Sequence, residues 1–285
     1  MAREDVFVST EWLAERLNAP DVIVVDASWY LPAHGRDPHA EFAERRIPGA
    51  VHFDINAVKD TTSNLPHMLP RPDAFAAAVG AMGIGDGMRI LVYDGLGLFS
   101  APRVRWTFRT FGAKDVVILD GGFPKWEREG RPIEHGPPRA RAARSFTARL
   151  DHSAVANADD VAKALSAGNA QVVDARPADR FRGEAAEPRP GVRSGHMPGA
   201  LNVPATALIA DGSLKDSAAI AAAFADAGAD LERPLITSRG SGVTAAILAT
   251  ALETIGKPAR PLYDGSWSEW GASDRPVATG SAKKG

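Results

Sequence analysis

The chain has 285 residues, a formal net charge of −2 and no cysteine. Its near-balanced charge and scattered arginines exclude the electrostatic footprint of a nucleic-acid or anionic-membrane binder. The lack of cysteine excludes disulfides, thiolate metal sites and any mechanism needing a thiol of this chain.

Length alone suggests two domains, at roughly 150 residues each. No apolar run approaches the ~18 residues of a membrane span. The opening MAREDVFVST has no signal-peptide core, so a cytoplasmic protein is expected. In chain order, VIVVDA from Val22, AVHFD from Ala50, RILVYD from Arg89 and VVILDG from Val116 read as strands, being apolar, β-branched and ended by Asp or Gly. Between them DAFAAAVGAMG reads as a helix, with Asp73 as N-cap and Gly83 as C-cap. PIEHGPPRARAARSF from Pro132 has no period and reads as a linker. A boundary within 138–145 gives domains 1–140 and 141–285.

Past the linker the chain repeats itself. VVDAS at Val24 returns as VVDAR at Val172, IPGAVHF at Ile47 as MPGALNV at Met197, and LDGGFPKWEREGRPI at Leu119 as YDGSWSEWGASDRPV at Tyr263. A unit of about 145 residues is duplicated. Apolar strands alternating with helices predict a parallel α/β sheet in each copy. Ligands of such sheets sit at the carboxyl ends of strands, where SRGSGVT follows the PLIT strand from Pro234. At an offset of 144 its counterpart is DGLGLFS, with Gly95 opposite Arg239.

The glycines of that loop let successive N–H groups converge at the positive end of the following helix, which makes an anion cradle. A plain strand-to-helix turn is the alternative. Val243 stands where a Walker loop needs Lys, and neither Ser238 nor Ser241 fits a nucleophile elbow. Gly240, Gly242 and Ala245, with Asp264 beyond, match a dinucleotide fingerprint in spacing. However, the strand comes late in its unit and Asp264 belongs to the repeated turn.

Together, VSTEWLAERL at Val8, VVDASWYLP at Val24, IPGAVHFDI at Ile47, LPHMLP at Leu65 and FSAPRVRWTFRTFG at Phe99 are similar to the tandem rhodanese family. RFRGEAAEPRPGVRSGHMPGALNVP at Arg180, SGVTA at Ser241 and YDGSWSEWG at Tyr263 carry the likeness through the second half, most closely to its 3-mercaptopyruvate sulfurtransferase branch. The resemblance implies two tandem rhodanese-like domains, each a five-stranded parallel sheet flanked by helices. The first would be a non-catalytic copy lining the interdomain cleft, and the second would hold the active-site loop 239–244. In the family this loop reads CGSGVT, and its cysteine carries a persulfide. Here it reads Arg239-Gly240-Ser241-Gly242-Val243-Thr244, so Arg239 holds the nucleophile's place. A guanidinium neither deprotonates nor attacks sulfur, so the chain is expected to be inactive or strongly impaired. An anion-binding or regulatory pseudoenzyme is the alternative.

The resemblance further implies that Arg180 and Arg189 bind the substrate anion. Ser241 and His67 would move protons, and Asn56 falls where the family has an acid. The implied partners are a small anionic sulfur donor, mercaptopyruvate or thiosulfate, and a thiol or cyanide acceptor. No cofactor and no metal are implied. The loop amides would repel a fixed cation, so Arg239 is expected to turn toward the cleft. His196, like Arg46, reads as a turn residue holding the PGA loop, and Trp126, Trp267 and Trp270 as core aromatics.

Overall fold

The structure is a computed structural model that describes residues 2–257 and 261–282. The first repeat forms strands β1 (Phe7–Val8), β2 (Val22–Asp26), β3 (Val51–His52), β4 (Arg89–Tyr93) and β5 (Val116–Leu119), in sheet order β1-β5-β4-β2-β3. The second forms β6 (Val155–Ala156), β7 (Gln171–Asp174), β8 (Leu201–Asn202), β11 (Leu235–Ser238) and β12 (Leu262–Tyr263), in the equivalent order β6-β12-β11-β7-β8. All pairings within both sheets are parallel. A short antiparallel ribbon, β9 (Ile209–Ala210) with β10 (Ser213–Leu214), was not legible from the pattern.

The central strands are apolar because helices cover both faces. Ile23, Val25, Leu91 and Val92 are fully buried, as are Val172 and Val173 of the second sheet. The equivalent PGA turns are tied alike. Arg46 bridges the main chain of Glu134, and His196 that of Ala278. The His196 ring stacks on Phe181 at 3.9 Å, with Nδ1 2.8 Å from the Phe181 carbonyl. Trp126, Trp267 and Trp270 are buried in the cores.

The helix Pro72–Ala81 corrects one expectation. Pro72 occupies its first turn, so Arg71 takes the N-cap place without a side-chain cap, and Asp73 instead pairs with Arg71. Gly83, at φ +81°, does follow its end. The linker is also more firmly held than its composition suggests. Phe146 stacks edge-on against Phe75 in the first core, and Thr147 donates to Asp86.

The two repeats share one hydrophobic core. Val104 and Phe108 of the helix Ala101–Thr110 join Ile247, Leu248 and Ala251 of the helix Ala245–Thr254. Because its own sheet and the second repeat cover it on two sides, the first helix buries two of its three arginines, Arg103 and Arg105. Arg105 pairs with Glu253 at 2.6 Å, and Arg3 spans the repeats to the carbonyls of Leu214 and Lys215. Such burial is tolerated only because each guanidinium finds acceptors.

Candidate functional site

The loop 239–244 leaves the carboxyl end of β11, between β7 and β12. Its first carbonyls turn away toward the helix Ser266–Trp270. Arg239 O accepts from Trp267 N–H at 2.7 Å, and Gly240 O from Ser268 N–H at 2.8 Å. The N–H groups of Gly240 to Thr244 then donate to no acceptor among the described residues. Five such amides in a row make a concentrated positive surface. Gly242 is required here. Its φ is +82°, and a Cβ would lie 3.0 Å from both the Asp264 carbonyl and Arg103 Nη1.

The first repeat shows what such a loop does with a carboxylate. Tyr93 faces Asp26 in the sheet register as Ser238 faces Asp174, so Asp94, not Gly95, is the structural counterpart of Arg239. The expected offset was one residue out, because the first loop carries an extra residue before its helix. The Asp94 carboxylate folds back onto its own loop. Oδ2 accepts from the N–H of Phe99, Ser100 and Ala101 at 2.7, 2.9 and 2.8 Å, and Oδ1 from Leu96 at 2.9 Å. Tyr30 fills the space above, where a Cβ on Gly95 would collide with its hydroxyl, and leaves a cavity of about 20 Å³.

Around the second loop the cavity is about 690 Å³, and first-repeat residues Trp29, Leu31 and Pro32 form one wall. It brings together Arg180, Arg189, Arg239, Gly240 and Ser241 of the expected site. Val243 and Thr244 are buried beneath it. A larger groove of about 820 Å³ lies at the amino ends of the first sheet, near Arg89 and Asp115, and touches none of these residues. The strand-end cavity is the one α/β geometry favours.

Arg239 does turn toward this cleft, yet it is only 7% exposed and its guanidinium lies 5.8 Å from the centre of the Phe99 ring. Its Nε is buried without a hydrogen-bond partner among the described residues. Burial first, and then the positive charge of Arg180, lower its pKa to about 10, so it stays a cation at neutral pH. Arg180 pairs with Glu187, and its Nη2 stands 3.3 Å from where a Gly240 Cβ would be. Arg36 stands 3.2 Å from the same point on Gly95 and pairs with Glu41, so this feature too is duplicated. Arg189 is exposed at the rim, with its pKa lowered by partial desolvation.

His67 is buried at φ +58°, and among the described residues neither ring nitrogen has a hydrogen-bond partner. Desolvation, then the charges of Arg103 and Arg189, lower its pKa to about 3. It does not line the cavity; Trp29, packed edge-on at 5.0 Å, does. Among the described residues the Asn56 side chain makes no hydrogen bond to His67. The chain leaves β3 in a turn in which Asn56 N–H donates to Asp54 Oδ1 at 2.7 Å, and the Asn56 side chain is exposed.

Sequence reasoning missed the charges beneath the loop. Arg103 Nη2 reaches Asp264 Oδ1 at 2.7 Å and the His67 carbonyl at 2.6 Å, while Asp264 Oδ2 accepts from Leu69 N–H at 2.8 Å. This clamp joins the repeats under Gly242. Arg176, fully buried, pairs with Asp174 and Glu187 and lies over Trp267 at 4.4 Å. The one available signal was that Arg176 is where VVDAS and VVDAR differ.

A duplicated α/β protein, with its cleft built around one strand-end loop of the second copy, is thus defined by fold and site. The Rhodanese-like domain profile matches residues 9–129 and 157–273, and the chain belongs to that family. A 3-mercaptopyruvate sulfurtransferase of Escherichia coli K12 is 46% identical over 273 residues, covering 95% of this chain and 97% of the relative. The human 3-mercaptopyruvate sulfurtransferase is 43% identical, covering 94% and 93%. The crystal structure of Escherichia coli SseA superposes with a TM-score of 0.85 at 44% identity, covering 92% of this chain and 98% of that one.

Proposed function

We propose that this chain is a sulfurtransferase of the 3-mercaptopyruvate type in which sulfur transfer has been lost with the nucleophile. The observation that carries this reading is Arg239 at the carboxyl end of the central strand, in a chain with no cysteine. Arg180 and Arg189 would still bind the carboxylate or sulfonate of a donor, as planar two-pronged donors suit. Ser241 and the loop amides would face its sulfur, but no thiolate is present to accept it. Neutral His67, screened from the cavity, has no charged acid beside it to support a proton relay. Intact-mass measurement after incubation with 3-mercaptopyruvate or thiosulfate tests the reading. No gain of sulfur is expected, and a stable gain of one sulfur atom would overturn it.

A second reading, that the site binds small anions without turning them over, is favoured by one observation. The amides of the second loop are unpaired among the described residues, while the matching amides of the first hold the Asp94 carboxylate. Calorimetric titration with pyruvate tests it. Saturable binding is expected, and its absence would refute the reading.

A further inference from the structure

The charges around the two loops balance differently. In the first repeat the cation over the loop, Arg36, is neutralised by Glu41, and the amides are neutralised by Asp94. In the second repeat Arg180 is likewise matched by Glu187, which Arg176 shares. There the correspondence ends, because a cation, Arg239, stands where the first repeat has its carboxylate. Neither Arg239 nor Arg189 pairs with a carboxylate among the described residues, and both line the same cavity. The protein has therefore buried one guanidinium beside five unpaired amides and set a second at the rim. Burying an unpaired cation is unfavourable unless a counter-charge arrives.

A thiolate at position 239 would repel an anionic group at the deep end of a ligand. Arginine there reverses that preference while leaving the rim unchanged. We propose that the cleft binds a compact dianion of the dicarboxylate class, one carboxylate held by Arg239 with the loop amides and the other by Arg189 at the rim. The proposal rests on the anion-binding reading above and adds the ligand's second charge. A monoanion such as pyruvate could satisfy only one of the two poles. A dicarboxylate satisfies both, and the carboxylate lodged on the Phe99–Ala101 amides is the internal precedent for its deep end.

Isothermal titration of the full chain with succinate, malonate and pyruvate, at one fixed ionic strength, tests the proposal. At least one of the two dicarboxylates is expected to bind about tenfold or more tightly than pyruvate, as one or two charge-assisted hydrogen bonds allow. Arg239→Met should abolish that advantage, bringing the dicarboxylate affinities to within about threefold of that for pyruvate. Equal affinities for all three anions in the unsubstituted chain would overturn the proposal but leave the anion-binding reading standing. So would a dicarboxylate advantage that survives in a folded Arg239→Met protein. Failure of every anion to bind would overturn both. The unsubstituted chain decides the question even if the variant does not fold.

Discussion

Replacing Asp264 by Ala probes the clamp on which the geometry of the loop rests. Asp264 and Arg103 are each 3% exposed, and their side chains meet at 2.7 Å. Removing the carboxylate leaves the Arg103 guanidinium buried with only the His67 carbonyl to accept from it, and leaves the Leu69 N–H without its partner. Breaking a buried pair on one side destabilises by about 3–5 kcal/mol. In a chain of this length that corresponds to a fall in melting temperature on the order of 10 °C. The assay is thermal unfolding followed by circular dichroism, with Arg103→Met and the double variant measured alongside. Because the singles leave an orphaned charge and the double does not, the double should lose much less than the sum of the singles. Single-variant losses below about 1 kcal/mol, or additive losses in the double, would refute the argument that this pair joins the repeats.

Two further outcomes follow from buried groups. Asp94→Ala, which strips the first loop of the acceptor for four N–H groups, should destabilise by about 3 kcal/mol in urea unfolding; a loss no larger than a surface substitution gives would contradict the assignment. His67 has its pKa lowered to about 3 from 6.5, so between these values the unfolded chain binds a proton that the folded one does not. Its contribution is therefore full above about pH 6.5 and is lost as pH falls toward 3; His67→Asn, which tolerates the positive φ, should flatten stability against pH in that window. An unchanged slope would rule out His67 as a source.

Much of the fold was legible because strands and turns are local signals. The repeated VVDA, PGA and DG stretches put two equivalent sheets in order, and the glycines of 239–244 located the loop. What stayed hidden depends on tertiary neighbours. Arg103 is an ordinary residue on a helical stretch until the second repeat covers that helix and supplies Asp264. Phe146 sits in a segment whose Pro and Arg content hides its anchoring on Phe75. The Asp94 counterpart was missed by one residue because a fixed offset cannot see an insertion between strand and helix, whereas sheet register can. The resemblance puts Asn56 where the family has an acid, whereas the exposure of its side chain is decided by the turn after β3.

If a sulfurtransferase site stands here with its nucleophile replaced, Arg239→Cys should restore sulfur uptake. The new thiol would lie at the head of the Gly240–Thr244 amides, beside Arg180, where positive surroundings lower a cysteine's pKa and raise its thiolate fraction. The measurement is intact mass after exposure to thiosulfate or 3-mercaptopyruvate, followed by release of the sulfur to cyanide. The variant is expected to gain one sulfur atom and give it up to the acceptor, while the unsubstituted chain gains none. A folded Arg239→Cys protein that takes up no sulfur from either donor would contradict it.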